Sequence, residues 1–209
     1  MIELFFGNEM FTDYPSSKGN QLKWKDGRHW YKADAAGYEG LAEYAVSHLL
    51  KYSSLQNTQY VLYDTVQIKY RDQVLLGCSC SDFLQGKGQL YTWERLYRKM
   101  SGMSLYESAF HLPEAKDRLC FVVSQMERIL GLVGIGEYLT RLMEIDSVFL
   151  NEDRHMHNIA AIQKPDGRYL TSPVFDNGAA LLSDTALDYP MGEDIYRLID
   201  HCRSKTIAW

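Results

Sequence analysis

The stretch 151-NEDRHMHNIAAI-162 decides how the rest of the chain is read, because it sets Asp153, Arg154, His155, His157 and Asn158 directly ahead of an apolar run. Downstream, "NIAAI", "QKPDGR" and "YLTSPVFD" read as two strands joined through a Pro-Asp-Gly turn. With the turn centred near residue 166, Asn158 falls opposite about residue 174, and Asp176 lies about two residues beyond that partner. Such diagonal neighbours are roughly 7–8 Å apart. The hairpin therefore delivers Asn158 and Asp176 to one end, beside Asp153.

Two carboxylates and an amide at one end of a hairpin suit magnesium and phosphate. Mg²⁺ takes hard oxygen ligands, commonly one or two from the protein, with phosphates and water supplying the rest. Phosphoryl transfer also needs a carboxylate to orient the attacking hydroxyl and accept its proton. The spacing Asp153-x-x-x-x-Asn158 matches the catalytic loop of protein kinases, and Asp176-Asn177-Gly178 sits where a metal-binding Asp-x-Gly is expected. His155 and His157 also have the His-x-His spacing of some metal hydrolases. That motif usually opens a barrel, and little sequence follows here to build one. The preferred reading makes His155 a brace for the loop and leaves His157 exposed.

A phosphotransfer site demands a strand lysine for the phosphates and a helix glutamate to hold it. "QLKW", "KDGR" and "HWYKAD" read as a hairpin, with Lys32 on its second strand. "YEGLAEYAVSHLLKY" follows at helical spacing, with Tyr38, Leu41, Ala42, Ala45 and Leu49 as its apolar stripe. Glu39 and Glu43 lie four apart at the edge of that stripe, where partial burial favours pairing with a lysine. "QYVLYDTVQIKY" and "QVLLGCSC" are further strands. The remainder is mainly helical: Thr92 caps one helix, which stops at Gly102, and Pro113 opens another, which ends at Gly131. A third helix, "GEYLTRLMEIDSVFL", carries Asp146 on its apolar face, so that carboxylate needs a partner and is assigned to bracing the catalytic loop.

These pieces, "SSKGNQLKW", "WYKADAAGYEGLAEYAVSHLL" and "DRHMHN…VFDNG", resemble the HipA-type serine/threonine kinases, whose catalytic core is related to that of the phosphoinositide kinases. The resemblance spans roughly residues 14–185, and implies a two-lobed, protein-kinase-like α+β fold that binds ATP and Mg²⁺ between its lobes. Residues 1–80 would form the β-rich lobe and 81–209 the helical lobe. Asp153 would be the catalytic base, and Asn158 and Asp176 the magnesium ligands. Lys32 would contact the ATP phosphates and pair with Glu43, which is preferred to Glu39. Gly19 would lie in the phosphate-covering loop, Ser79 in the hinge segment 75–83 over adenine, and His155 beside the nucleotide. Ser16 and Ser17 would be autophosphorylation sites. The implied partners are a protein substrate and a regulatory, antitoxin-like protein. The chain departs from longer members in lacking their extra N-terminal domain and in stopping at 204-SKTIAW-209, which implies a minimal or C-terminally shortened member.

Two rival functions share this fold: a lipid or small-molecule kinase, and a nucleotide-binding pseudokinase. A net charge of −5 argues against a nucleic-acid partner, which needs a basic face. No evident basic or amphipathic face favours a membrane, and no apolar run reaches the roughly 18 residues that would span one. The four cysteines offer no second close pair to complete a zinc site, so a reduced, cytoplasmic protein is expected, with Cys78 and Cys80 packing as small apolar residues.

Overall fold

The computed structural model describes residues 1–4, 21–84, 86 and 88–202. Its first sheet runs in the order β1 (Ile2–Leu4), β4 (Tyr63–Tyr70), β5 (Gln73–Ser81), β3 (His29–Ala33), β2 (Lys23–Asp26). Only the β1–β4 pairing is parallel. Asp26 pairs with His29, so the hairpin turn is Gly27-Arg28, one residue on from the Asp-Gly pair in the sequence. Gly27 takes φ 56° as the first loop residue, where a II′ turn requires glycine.

The helix α1 (Glu39–Leu49) lies against β4 and β5 and ends in a short 3-10 turn. Its seat is backbone on backbone: a Cβ placed on Gly40 would come within 2.4 Å of the Gly77 carbonyl carbon. That contact turns Gly40, Ala42, Glu43, Val46 and Ser47 inward. The stripe expected from periodicity is therefore displaced, with Leu41 and Leu49 left 52% and 53% exposed. The buried polar positions are satisfied instead of apolar; Ser47 Oγ, for example, accepts the Tyr63 N–H at 3.1 Å.

After β5 the chain enters a helical lobe. It comprises β6 (Gln89–Thr92), α2 (Trp93–Ser101), α3 (Leu105–Phe110), α4 (Ala115–Leu130), α5 (Ile135–Phe149), β7 (Ala160–Gln163), β8 (Tyr169–Thr171) and α6 (Ile195–His201). Thr92 caps α2 by accepting the Arg95 N–H, while α2 and α4 stop at Gly102 and Gly131. Trp93, Leu105, Val122, Met126, Leu139 and Ile159 form the centre of its core. The β7–β8 hairpin pairs Ala161 with Thr171 and Gln163 with Tyr169, the register expected from the Pro-Asp-Gly turn.

Four elements escape the sequence reading, the short edge strand β1 among them. The strand β6 joins β7–β8 to make a three-stranded sheet. The helix α3 is short, and its first amides are taken by Ser104 and by the buried Glu94, whose Oε2 accepts Leu105 N–H at 3.0 Å and Tyr106 N–H at 3.2 Å. The helix α6 buries none of its residues. The switch between the two lobes falls between Ser81 and Gln89. Among the described residues, no helix is long and apolar enough to cross a membrane.

Candidate active site

The strand register places Lys32 beside Cys78 of β5 and Lys23 of β2, all on the face of the sheet that meets α1. Lys32 Nζ lies 2.6 Å from Glu43 Oε1 and 2.5 Å from Asp176 Oδ1, and 5.4 Å from the centre of the Tyr63 ring. Burial alone would lower the pKa of this ammonium, but Asp176 and Glu43 together hold it well above the ordinary lysine value. For the Asp176 carboxyl, burial acts to raise the pKa, and Lys32 and then Lys23 override it to keep the group well below the usual carboxylate range. Both members of the pair are thus firmly ionised.

Glu43 is 1% exposed and uses both carboxylate oxygens. Oε1 takes Lys32, and Oε2 accepts the Asn177 N–H at 2.9 Å. Glu39 does something else: its carboxylate accepts the N–H groups of Ala35, Ala36 and Gly37 and so organises the turn before α1. The helix therefore grips Lys32 on one side and the Asp-Asn-Gly segment on the other. Gly178 packs closely on this helix, where a Cβ would meet Glu39 Cβ at a tight 3.3 Å.

Asp176 adopts φ 63°, a left-handed backbone uncommon outside glycine and costly enough to need support from its surroundings. That support comes from both flanks. Before it, Val174 is tied by main-chain hydrogen bonds to residues preceding β4, Val61 N–H to Val174 O at 2.9 Å and Val174 N–H to Gln59 O at 2.8 Å. Around it, Arg154 donates to Phe175 O at 2.6 Å and to Asn177 Oδ1 at 2.7 Å.

Arg154 also explains Asp146. Its guanidinium reaches the Asp146 carboxylate through Nε and Nη2 at 2.9–3.2 Å, and Asn151 Nδ2 adds a further bond at 2.9 Å. Burial would lower the pKa of this guanidinium, and Asp146 more than compensates. The carboxylate on the apolar face of α5 is thus the base plate of loop 151–158.

Within that loop Asn158 closes the turn on both sides. Its Nδ2 donates to Asp153 O at 2.7 Å, and its Oδ1 accepts the His155 N–H at 2.7 Å. The carboxylate of Asp153 is 16% exposed and stands 3.8 Å from His155 Nε2. His155 Nδ1 accepts the His157 N–H, which makes His155 a brace of the loop, and His157 is exposed. Among the described residues, no group of three His, Cys, Asp or Glu could hold a metal ion. Asp176 Oδ1 is engaged by Lys32, and both ends of the Asn158 amide are engaged within its own loop.

Ser79 requires a correction. It lies mid-strand in β5 opposite Tyr31 and Asp64, one residue out of phase with Cys78, so its side chain is on the sheet face away from Lys32. Strand alternation allows no other placement. Segment 75–83 is mostly strand, and the connection proper begins at Asp82. Asp82 is bound there by Trp30 Nε1 at 3.2 Å and by Lys25 at 2.8 Å. Cys78 and Cys80 are buried as expected, and burial pushes the Cys80 thiol up to about 12. Gly19, Ser16 and Ser17 lie outside the described residues.

Two site residues were not assigned from the sequence. For Arg154 the signal was indirect: Asp146 called for a partner without saying which. Lys23 sits directly across from Lys32 because the turn is Gly27-Arg28; pairing about Asp26-Gly27 would have set Trp30 opposite it.

No protein-family profile matches the chain, and no curated protein matches it by sequence. Among solved structures, the fold is similar to the crystal structure of a Helicobacter pylori proinflammatory kinase, CtkA. The TM-score is 0.56 and the identity 16%, and the match covers 95% of this chain and 65% of that one. The chain thus spans just under two thirds of that kinase's length, and its two-lobed α+β architecture is a kinase-like fold.

Proposed function

We propose that the chain is an ATP- and magnesium-dependent phosphotransferase of the HipA type, acting on a serine or threonine hydroxyl of a protein. The observation that carries this reading is the linked set Glu43–Lys32–Asp176, in which one lysine bridges a helix carboxylate and the carboxylate of an Asp-x-Gly turn. The chain's own residues then divide the work. Lys32 holds the nucleotide's phosphates, and Lys23 adds a second positive charge on the same face. Like charges directly opposite on a sheet repel, and an anion between them relieves that cost. Asp176 and Asn158 Oδ1 would hold Mg²⁺, which neutralises charge on the transferring phosphoryl group. Asp153, in a loop fixed at both of its backbone groups, accepts the proton of the attacking hydroxyl. Positioning and charge neutralisation supply most of the catalysis in such chemistry.

The test is calorimetric. Wild-type protein is expected to bind ATP in the presence of Mg²⁺, and Asp176→Ala to lose the magnesium-dependent part of that binding. Undiminished binding by the folded variant would count against the assignment. Transfer of the γ-phosphate to the chain itself, read by intact mass after incubation with Mg-ATP, tests catalysis and checks Ser16 and Ser17 directly. Binding without any transfer would favour the pseudokinase reading.

A further inference from the structure

The chain after Asp176 does not leave the site freely. Leu181 and Leu182 both adopt left-handed backbone, φ 57° and 58°, a conformation that crowds Cβ against the following carbonyl in any residue but glycine. Two such leucines in succession persist only where the surroundings over-determine them, and observed strain of this kind is a pointer to function.

What holds them is the turn before α1. The Tyr38 phenol donates to Leu181 O at 2.9 Å and Leu182 O at 3.2 Å. The Tyr38 N–H donates to Ser183 O at 3.1 Å, and Ala186 N–H to Ala36 O at 2.9 Å. Gly37 lies flat under this strap, where a Cβ would come within 1.8 Å of Ser183 O. From the other lobe, Phe149 O accepts the Leu181 N–H at 2.8 Å. The strap is therefore bound to α5 at one end and to the cap of α1 at the other. Tyr38 is that cap residue, and Glu43 follows five positions later in the same helix.

We infer that Tyr38 is a positioning residue: by tying the strained Leu181–Leu182 strap to the start of α1, it keeps Glu43 seated against Lys32 and Asn177. Its link to catalysis rests on the phosphotransferase reading above, while its effect on Lys32 does not. Removing the phenol leaves two carbonyls of a strained turn without that donor, so the cap loses one of its ties to the strap and Lys32 spends more time outside its pair.

The experiment measures acylation of Lys32 by an amine-reactive N-hydroxysuccinimide ester, followed by mass spectrometry, with the surface residue Lys69 as internal reference. Tyr38→Phe, which keeps the ring, is expected to raise Lys32 labelling about three- to tenfold, the range of one net hydrogen bond. Gly37→Ala, which displaces Ser183 O and with it the Tyr38 N–H bond while keeping the phenol, should do the same. Thr92→Ala removes the α2 cap elsewhere and should leave Lys32 unchanged, which separates this tie from general destabilisation. In turnover, Tyr38→Phe should lower kcat by a similar factor with KM for the acceptor unchanged. Equal Lys32 labelling in wild type, Tyr38→Phe and Gly37→Ala overturns the inference. A wild type that binds no Mg-ATP overturns the phosphotransferase reading instead and leaves the labelling result to stand by itself.

Discussion

Asp153→Asn is expected to bind Mg-ATP as the wild type does and to lose about 10²–10⁴-fold in phosphotransfer, the contribution usual for a positioned general base. Main-chain groups fix the loop at this position. The Asp153 N–H donates to Asn151 Oδ1 at 3.3 Å, and the Asp153 carbonyl accepts from Asn158 Nδ2 at 2.7 Å. Asparagine keeps the volume and removes the proton acceptor, so geometry survives and chemistry does not. Calorimetry reports the first half of the result, and a single-turnover assay of γ-phosphate transfer reports the second. Wild-type turnover in the variant would remove Asp153 from the role of base.

The second large effect is on stability. Arg154 is 1% exposed and serves Asp146, Phe175 and Asn177 at once. Arg154→Met leaves the Asp146 carboxylate without its cation and two further acceptors without their donor. Breaking a buried pair in this way costs about 3–5 kcal/mol, which for a chain of this size lowers Tm by roughly 6–20 °C. Lysine cannot replace the planar fork that reaches three partners. The double variant Arg154→Met/Asp146→Leu should regain much of the lost stability, because the stranded carboxylate has gone. It should not regain activity, since the Asp-Asn-Gly turn still lacks its brace. A single variant melting within about 2 °C of wild type would show that Arg154 is not the keystone described.

Local sequence carried much of this site because its pieces are set by short-range rules. The β7–β8 register follows from one turn, and that register aims the chain toward Asp176. The choice of Glu43 over Glu39 was legible as a resemblance and is matched by an ion pair, while Glu39 proves to be occupied with the turn before the helix. Asp146 was readable as a carboxylate in need of a partner; that the partner would be Arg154 was not, because the pairing depends on how α5 meets the loop. The misread parts share a cause. The inward face of α1 is decided by Gly40 lying on Gly77, a tertiary contact invisible to periodicity. The strand β6 is four residues long and is a strand only because β7 lies beside it. Ser79 was placed by analogy with a hinge, whereas strand alternation turns it to the opposite face.

The hydrogen bonds from Gln59 and Val61 to Val174 have a mechanical meaning. They cross from one lobe to the other through main-chain atoms alone, so only a change to proline at Val61 or Val174 removes a donor. The connecting chain has become part of the β7 sheet by Gln89. Together with the ties from Tyr38, Glu43 and Ala36 to residues 177–186, these bonds join the lobes at several separate places. Separating the lobes therefore requires main-chain hydrogen bonds to break together with the side-chain ties, so the two halves are coupled through the backbone itself.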